Sequence, residues 1–148
     1  MGFQPHVTVA TIVEQDGRFL LVRELIDGIE QLNQPAGHLE ENESLEQAAA
    51  RETLEETGWI VEATGVVGID LYRAPANGVT YVRTTFIARA KRHLDDAPLD
   101  TGIIGPIWLT LEQIRERTAQ LRSPMVLSVI EDYLAGRCFP LEVTRGQG

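Results

Sequence analysis

Runs of apolar residues broken by glycine-containing turns predict a chain of short strands. Asp16-Gly17 and Asn77-Gly78 are hairpin signals, since both pairs readily adopt the left-handed backbone of a tight turn. The continuous apolar run 19–22 is typical of a strand that is buried on both faces. The predicted strands are 6–13, 19–22, 31–34, 59–63, 65–73, 79–89 and 107–109. The remaining segments predict loops at 25–30 and 91–105, and a hairpin that begins at 39–40 and returns across the entry of the first helix.

Three segments carry the start and stop signals of helices. Ser44 and Gln47 fit a capping box, and Gly58 fits the left-handed position that ends a helix over about 44–57. The other two helices are predicted at about 111–117, capped by Thr110, and at about 123–134, opened by Ser123-Pro124 and ended by Gly136. The tail, 143–148, is expected to fray. The order of elements indicates an α+β fold with a mixed sheet between helices, in one domain over residues 1–148.

The composition is that of an ordinary globular protein, with 43% hydrophobic and 24% charged residues. The net charge of −9 disfavours a nucleic-acid backbone or an anionic membrane as the main partner. The single cysteine, Cys138, excludes an internal disulfide and suits a reducing compartment. The sequence shows neither a signal peptide nor an apolar run long enough to span a membrane, so we expect a cytoplasmic protein.

Three glutamates at helical spacing are the strongest chemical signal. Glu52, Glu55 and Glu56 lie at i, i+3 and i+4, which places their carboxylates on one face of the first helix. Like charges at this spacing repel one another, so the side chains either spread into solvent or hold a cation. A solvated acidic face is the commoner case for such a run taken alone. Carboxylate oxygens are, however, the ligands that Mg²⁺ prefers.

The surrounding spacing decides between these readings, because it resembles the signature of the Nudix hydrolases. Seven fixed identities match, namely Gly37, Glu43, Arg51, Glu52, Glu55, Glu56 and Gly58. The family expects aliphatic residues where this chain has Thr53 and Trp59, and neither change removes a carboxylate. Segments outside the signature resemble a bacterial phosphatase branch of the same family; they are 6–10, 33–39, 121–124 and 140–142.

The resemblance implies a Nudix-type α/β/α sandwich with a mixed β-sheet, and a metal site on the first helix. Mg²⁺, for which Mn²⁺ can substitute, would be held by Glu52, Glu55, Glu56 and the carbonyl of Gly37. The same three glutamates would be catalytic together with Arg51, which would orient them. Glu43 would anchor the preceding loop.

Further candidates rest on weaker signals. Some family members recruit an additional carboxylate as a metal ligand or base, and Asp100 is favoured here over Asp95 and Asp96 because it lies nearest the following strand. Arg23 and Arg83 are candidate substrate contacts, since an arginine fork suits phosphate oxygens. A solvated loop acid and surface arginines remain the alternatives. Two pairs stay open between substrate contact and ordinary packing: His6 with His38, and Tyr72 with Tyr81.

The branch resemblance implies hydrolysis of nucleoside tri- and diphosphates with release of orthophosphate. It also implies thiamine-type or hydroxymethylpyrimidine pyrophosphates as possible substrates. The alternatives are a nucleotide-sugar or dinucleoside polyphosphate pyrophosphatase, a non-catalytic Nudix-fold nucleotide sensor, and a plain structural module. The expected partner is therefore a small nucleotide or pyrophosphate, for a protein that is a monomer or a homodimer. Residue chemistry alone does not decide which phosphorus is attacked, since a small shift in substrate pose would change it.

Overall fold

The computed structural model describes residues 2–146 as a mixed sheet with helices on both faces. The strands are β1 (His6–Gln15), β2 (Arg18–Ile26), β3 (Ile29–Asn33), β4 (Ala36–His38), β5 (Trp59–Arg73), β6 (Thr80–His93) and β7 (Ile103–Leu109). The helices are α1 (Leu45–Thr57), α2 (Leu111–Arg115) and α3 (Met125–Leu134), with short 3₁₀ turns at Thr118–Gln120 and Leu141–Thr144. No helix within residues 2–146 is long and apolar enough to cross a membrane.

The central strand, β1, joins the two halves of the sheet. It runs parallel to β6 over eight residue pairs, from His6 opposite Tyr81 to Val13 opposite Ala88. It also pairs with β4 and with the start of β2, both antiparallel. Strand β5 lies antiparallel beyond β6, whereas β3 and β7 flank β2. This mixture of parallel and antiparallel pairs confirms the α+β class that the element order indicates.

Two apolar layers hold the helices against opposite faces of the sheet. The small side chains of Ala48 and Ala49 pack α1 closely against Val9 and Phe86. The other layer is larger and contains Ile114 of α2 and three residues of α3, Val126, Val129 and Ile130, packed against strand residues such as Ile12 and Leu21. The glutamates of α1 are thereby presented on a rigid element.

Thr53 and Trp59, the two residues that depart from the family pattern, both find partners within the fold. The hydroxyl of Thr53 donates to the carbonyl of Ala49 at 2.8 Å and meets the hydroxyl of Thr11 at 2.9 Å, so its polar atom is satisfied in the core. Trp59 packs edge-to-face on Trp108 with ring centres 5.5 Å apart. Both departures are therefore compatible with the fold.

The predicted ends of α1 are confirmed. Ser44 and Gln47 form both hydrogen bonds of a capping box, and Gly58 follows the helix with a φ of 76°. Ser123-Pro124 was predicted as N-cap and first helical residue of α3, but the N-cap is Pro124 and the helix begins at Met125, whose N–H donates to the hydroxyl of Ser123. Of the tail, Leu141–Thr144 forms a 3₁₀ turn, whereas residues 147–148 lie outside the described part of the chain.

Four predicted boundaries are wrong. The segment 25–30 is a tight hairpin rather than a loop, because Asp27 and Gly28, with φ of 52° and 79°, form the whole turn. Strands 59–63 and 65–73 are one strand, β5, which continues through bulges beside Gly65 and Gly68. The loop 91–105 is shorter, since β6 continues to His93 and β7 begins at Ile103. No hairpin begins at 39–40, because the preceding residues, 36–38, pair with β1 instead.

Candidate active site

The absence of a side chain at Gly37 brings β4 and α1 together at the centre of the candidate site. The carboxylate of Glu52 occupies the space that a Cβ atom on Gly37 would fill. Glycine at this position therefore lets a carboxylate lie directly against the backbone of β4. Such a cradle places the Gly37 backbone and a carboxylate side by side, as the predicted metal site requires.

Three carboxylates converge beside this cradle. Glu52 and Glu55 of α1 and Asp100 of the loop before β7 each place an oxygen within 4.8 Å of the others. The N–H of Asp100 donates to the backbone carbonyl of Glu55 at 3.1 Å, which fixes the loop to the helix. Three like charges this close repel one another unless a cation lies between them, and hard oxygen donors suit a divalent ion such as Mg²⁺. The residues present therefore fit the metal that the sequence predicts.

Glu56 lies deeper than this cluster. Its side chain accepts a hydrogen bond from the N–H of Ala36 at 2.9 Å, and the residue is 8% exposed. The pKa of Glu56 is raised to about 9, mainly by burial; the hydrogen bond from Ala36 opposes this rise, and the nearby carboxylates of Glu24, Glu52 and Asp100 add to it. Without a cation beside it, this carboxyl therefore carries a proton at neutral pH.

Arg51 ties the loop before α1 to the glutamates of the helix. Its guanidinium donates to Glu43 at 2.7 Å, to Glu52 at 2.7 Å and to Glu55 at 3.2 Å. It also donates to the carbonyl of His38 at 3.0 Å. The hydrogen bond to Glu43 is the main cause that raises the pKa of Arg51, and it lowers the pKa of Glu43 in return. These contacts are those of an orienting arginine and a loop-anchoring glutamate.

A cavity of about 970 Å³ opens beside the carboxylates, and Asp100 and Glu56 belong to its wall. Arg83 of β6 lies on the same wall and is 8% exposed. Its Nη2 donates to the side-chain oxygen of Gln34 at 2.8 Å, and its Nε has no partner among the described residues. Burial lowers the pKa of Arg83 to about 10, opposed mainly by Asp70. A buried guanidinium with a free donor is suited to an anionic ligand.

The NUDIX domain family model matches residues 2–128 of the chain. The protein is a Nudix hydrolase. It is 39% identical over 141 residues to Phosphatase NudJ of Escherichia coli K12, across 95% of this chain and 91% of that protein. Its structure is similar to that of a NUDIX hydrolase from Nitrosomonas europaea, with a TM-score of 0.95 and 43% identity over 97% of this chain and 98% of that one. A second NUDIX hydrolase structure from the same organism aligns with a TM-score of 0.71 at 28% identity, over 92% of this chain and 74% of that one.

The comparisons confirm the predicted family, the α+β Nudix fold and the assignment as an enzyme. Nudix hydrolases act on small phosphorylated compounds and typically depend on a divalent metal, which agrees with the acidic cluster of this structure. The roles of individual residues in this Nudix hydrolase are the subject of the proposals below.

Not every predicted contact is brought to the Nudix site. Arg23 forms a two-pronged ion pair with Glu30 on the β2–β3 hairpin, at 3.0 and 3.2 Å, and it is not among the residues that line the cavity. Asp95 bonds to His93 at 2.6 Å, outside the carboxylate cluster. The structure thus brings Asp100 and Arg83 to the site and leaves Arg23 at a neighbouring surface.

Of the tyrosine and histidine candidates, three line the cavity and His6 does not. Tyr72, Tyr81 and His38 line the cavity. His6 lies behind them, with its Nδ1 3.1 Å from the Nε2 of His38 and its ring edge-on to Tyr81. Burial lowers the pKa of His38. These side chains form an aromatic wall whose contact with a substrate remains a prediction.

Two residues of the cavity wall were missed by sequence reasoning, Glu24 and Arg122. Glu24 belongs to β2, is 9% exposed, and accepts a hydrogen bond from Arg122 Nη1 at 2.7 Å. Burial raises the pKa of Glu24, opposed by Arg122. The available signal for Glu24 was its place two positions after the buried apolar run 19–22. Arg122 was visible only as part of the segment 121–124.

Proposed function

We propose that this Nudix hydrolase is a Mg²⁺-dependent enzyme that releases orthophosphate from nucleoside tri- and diphosphates. Thiamine-type and hydroxymethylpyrimidine pyrophosphates are further substrates in this proposal. The observation that carries it is the cluster of the Glu52, Glu55 and Asp100 carboxylates. Through Asp100 this cluster adjoins a cavity whose lining also includes Glu56 and the buried Arg83. Such a cavity offers a metal-binding side and a phosphate-binding side to one ligand.

The metal would be held by side-chain oxygens of α1 and the loop before β7. Glu52, Glu55 and Glu56 are the proposed ligands on the helix, with the carbonyl of Gly37 and the carboxylate of Asp100 beside them. Mg²⁺, or Mn²⁺ in its place, would supply charge neutralisation for the phosphates and acidify a bound water.

The chain's own groups would then position the reactants. Arg51 holds Glu52 and Glu55 through direct hydrogen bonds, so their oxygens are fixed before a ligand arrives. Arg83 would bind phosphate oxygens, and Gln34 orients it by accepting from Nη2. Glu56 is held by the N–H of Ala36, so its carboxylate is also fixed in place before the metal binds.

The preference for orthophosphate release is supported by the likeness to a relative that is named a phosphatase. The segments outside the signature that resemble the same branch cover both ends of the chain, including the cavity segment 121–124. The substrate classes named above follow from that likeness.

Product analysis by phosphorus NMR tests this proposal. The protein would be supplied with Mg²⁺ and separately with ATP, ADP and thiamine pyrophosphate. We expect orthophosphate from the nucleotides, and a rate at least about 100-fold lower in Glu56→Gln, because metal-site and proton-transfer groups contribute on that scale. Glu46→Gln, a matched change at an exposed position of the same helix, should retain the wild-type rate.

The other possible outcomes of this assay each point to a different function. Pyrophosphate or a mononucleotide as the first product from ATP would contradict the proposed cleavage and move the enzyme to another branch of the family. No turnover of any of the three compounds would direct the assay to nucleotide sugars and dinucleoside polyphosphates. Failure with those as well would favour a nucleotide sensor.

A further inference from the structure

Arg122 and Glu24 form an ion pair in the wall of the cavity that the proposed chemistry does not use. Arg122 lies just before α3, and its Nη1 donates to Glu24 Oε2 at 2.7 Å. Both residues line the cavity that also contains Glu56 and Arg83. The two partners come from distant parts of the chain, so only the folded protein brings this guanidinium to the site.

The backbone of Arg122 is fixed as well as its side chain. Its N–H donates to the carbonyl of Leu32 at 2.8 Å, and the preceding residue, Leu121, forms a parallel bridge with the same Leu32 of β3. The start of α3 is held further by the amide of Gln34, which donates to the carbonyl of Val126 at 2.6 Å. The Arg122 guanidinium is therefore carried by a segment that is attached to the sheet.

The side chains of Glu24 and Arg122 differ in exposure, and the difference indicates which of them can contact a ligand. The Glu24 side chain is 11% exposed, whereas that of Arg122 is 47% exposed. An arginine has five N–H donors, and the described residues accept from only one nitrogen of Arg122, the Nη1. The buried carboxylate thus holds one end of the guanidinium, while the other donors stay available on the open side.

The charges of this wall favour an anionic ligand. Two guanidinium groups, Arg83 and Arg122, face one buried carboxylate, Glu24, which interacts with both. The single carboxylate of Glu24 can offset only one of these two guanidinium charges. A guanidinium that is already held in place loses less side-chain entropy when it binds a phosphate than a free surface arginine does.

An ordinary surface ion pair differs from the Arg122–Glu24 pair in its exposure and in its position relative to the cavity. Arg115 and Glu131 provide the comparison within the same protein, since they meet at 3.2 Å with both side chains about half exposed. Neither of them lines the cavity. Such exposed pairs contribute little to stability, and this one lies away from any ligand in the cavity.

We propose that Arg122, held by Glu24, binds the phosphate chain of the substrate from the α3 side of the cavity. Glu24 is a positioning residue, which acts through Arg122 rather than on the reacting atoms. This inference rests on the proposed function, in that it assigns a contact to the phosphorylated substrate of the same site.

Steady-state kinetics with ATP and Mg²⁺ test the assignment through the variants Arg122→Ala, Glu24→Ala and Glu24→Gln. Removing the guanidinium should raise KM about 10-fold or more with a much smaller change in kcat, because a charge-assisted contact to phosphate is lost. Glu24→Ala should raise KM similarly by releasing Arg122. Glu24→Gln should recover most of the loss, because its amide oxygen can still accept from Nη1. Arg115→Ala is the matched control and should keep both constants.

Three results would overturn the assignment. Arg122→Ala with an unchanged KM would remove Arg122 from the substrate contacts. A loss of kcat in Glu24→Gln as large as in Glu56→Gln would make Glu24 part of the metal or proton chemistry instead. If Arg122→Ala fails to fold, Arg122→Lys replaces it; that variant keeps the charge without the fork and should give an intermediate KM, whereas a wild-type KM would count against the proposal.

Binding of inorganic pyrophosphate with Mg²⁺, measured by calorimetry, separates this inference from the proposed function. If the wild-type protein turns over no nucleotide, the proposed function fails and the titration alone decides the role of Arg122. Pyrophosphate binding that weakens about 10-fold in Arg122→Ala would support the contact. Equal binding in the two proteins, or none in the wild type, would overturn it.

Discussion

Gly37 is important for the site because a side chain at this residue would occupy the position of the Glu52 carboxylate. We predict that Gly37→Ala displaces Glu52 from its cradle and lowers activity about 100-fold, since small displacements in an active site have effects of that size. The change is confined to one side chain, so the melting temperature should fall only slightly. Gly2→Ala, at a position where an added Cβ meets nothing, is the control. Wild-type activity in Gly37→Ala would show that the position of Glu52 is unimportant.

The elements around the site are held at their ends, and α1 shows this most clearly. Its first turn is closed by the Ser44–Gln47 capping box, and Arg51 joins the next turn to the loop before the helix. The glutamates are therefore fixed by α1 as a whole rather than by their own contacts alone.

We predict that Ser44→Ala destabilises the protein by about 1 kcal/mol, because the N–H of Gln47 loses its acceptor. The melting temperature should fall by about 3 °C for a chain of this size. Calorimetry would measure the shift, with Ser128→Ala at an exposed position inside α3 as the control that leaves the melting temperature nearly unchanged. Equal shifts in the two variants would show that the cap contributes nothing.

Elements with signals in adjacent residues could be predicted from the sequence. The tight turn at Asp16-Gly17 and the cap of α1 depend on backbone conformations that particular residues favour locally. Asn77-Gly78 also marks a hairpin, but it lies in a longer connection between β5 and β6, where Gly78 has a positive φ and Asn77 does not. Asp27-Gly28 has the same chemistry as Asp16-Gly17 and was predicted only as part of a loop. Bulges interrupted the period of β5, so one strand was predicted as two.

The architecture of the whole molecule depends on contacts between distant residues, and these left no local signal. The parallel pairing of β1 with β6 joins residues more than seventy positions apart, and Arg122 meets Glu24 across 98 positions. The carboxylates of α1 could be predicted because one helix carries them all. On the arginine side of the cavity, Arg83 was predicted as a candidate contact, whereas the pairing of Arg122 with Glu24 was not, since it forms only when distant segments meet in the fold.

The stability of the metal-free molecule should fall as pH rises. The folded pKa of Glu56, about 9, lies above the ordinary value of 4.5 for a glutamate, so the folded state favours the protonated carboxyl. Its contribution is complete below pH 4.5 and is lost as pH rises toward 9. Between pH 5 and pH 8 we predict a loss of about 4 kcal/mol in unfolding free energy.

Urea unfolding of wild-type protein and Glu56→Gln in EDTA measures this loss, since the difference between the two proteins removes the effect of other groups. The variant should lose about 4 kcal/mol less than wild type over the same range. Millimolar Mg²⁺ should reduce the loss in wild type, because a cation that binds the ionised site stabilises the folded state. If the unfolding free energies of the two proteins changed with pH in parallel, the raised pKa assigned to the buried Glu56 would be contradicted.

The most direct test of the proposed reaction is the fate of water oxygen. ATP would be turned over in water enriched in oxygen-18, with Mg²⁺, and the products separated for mass spectrometry. We expect one labelled oxygen in the released orthophosphate and none in ADP, because in the proposed reaction water attacks the terminal phosphorus of the nucleotide. Label in AMP or in pyrophosphate would mean attack at an inner phosphorus, and would contradict the claim that this Nudix hydrolase releases orthophosphate.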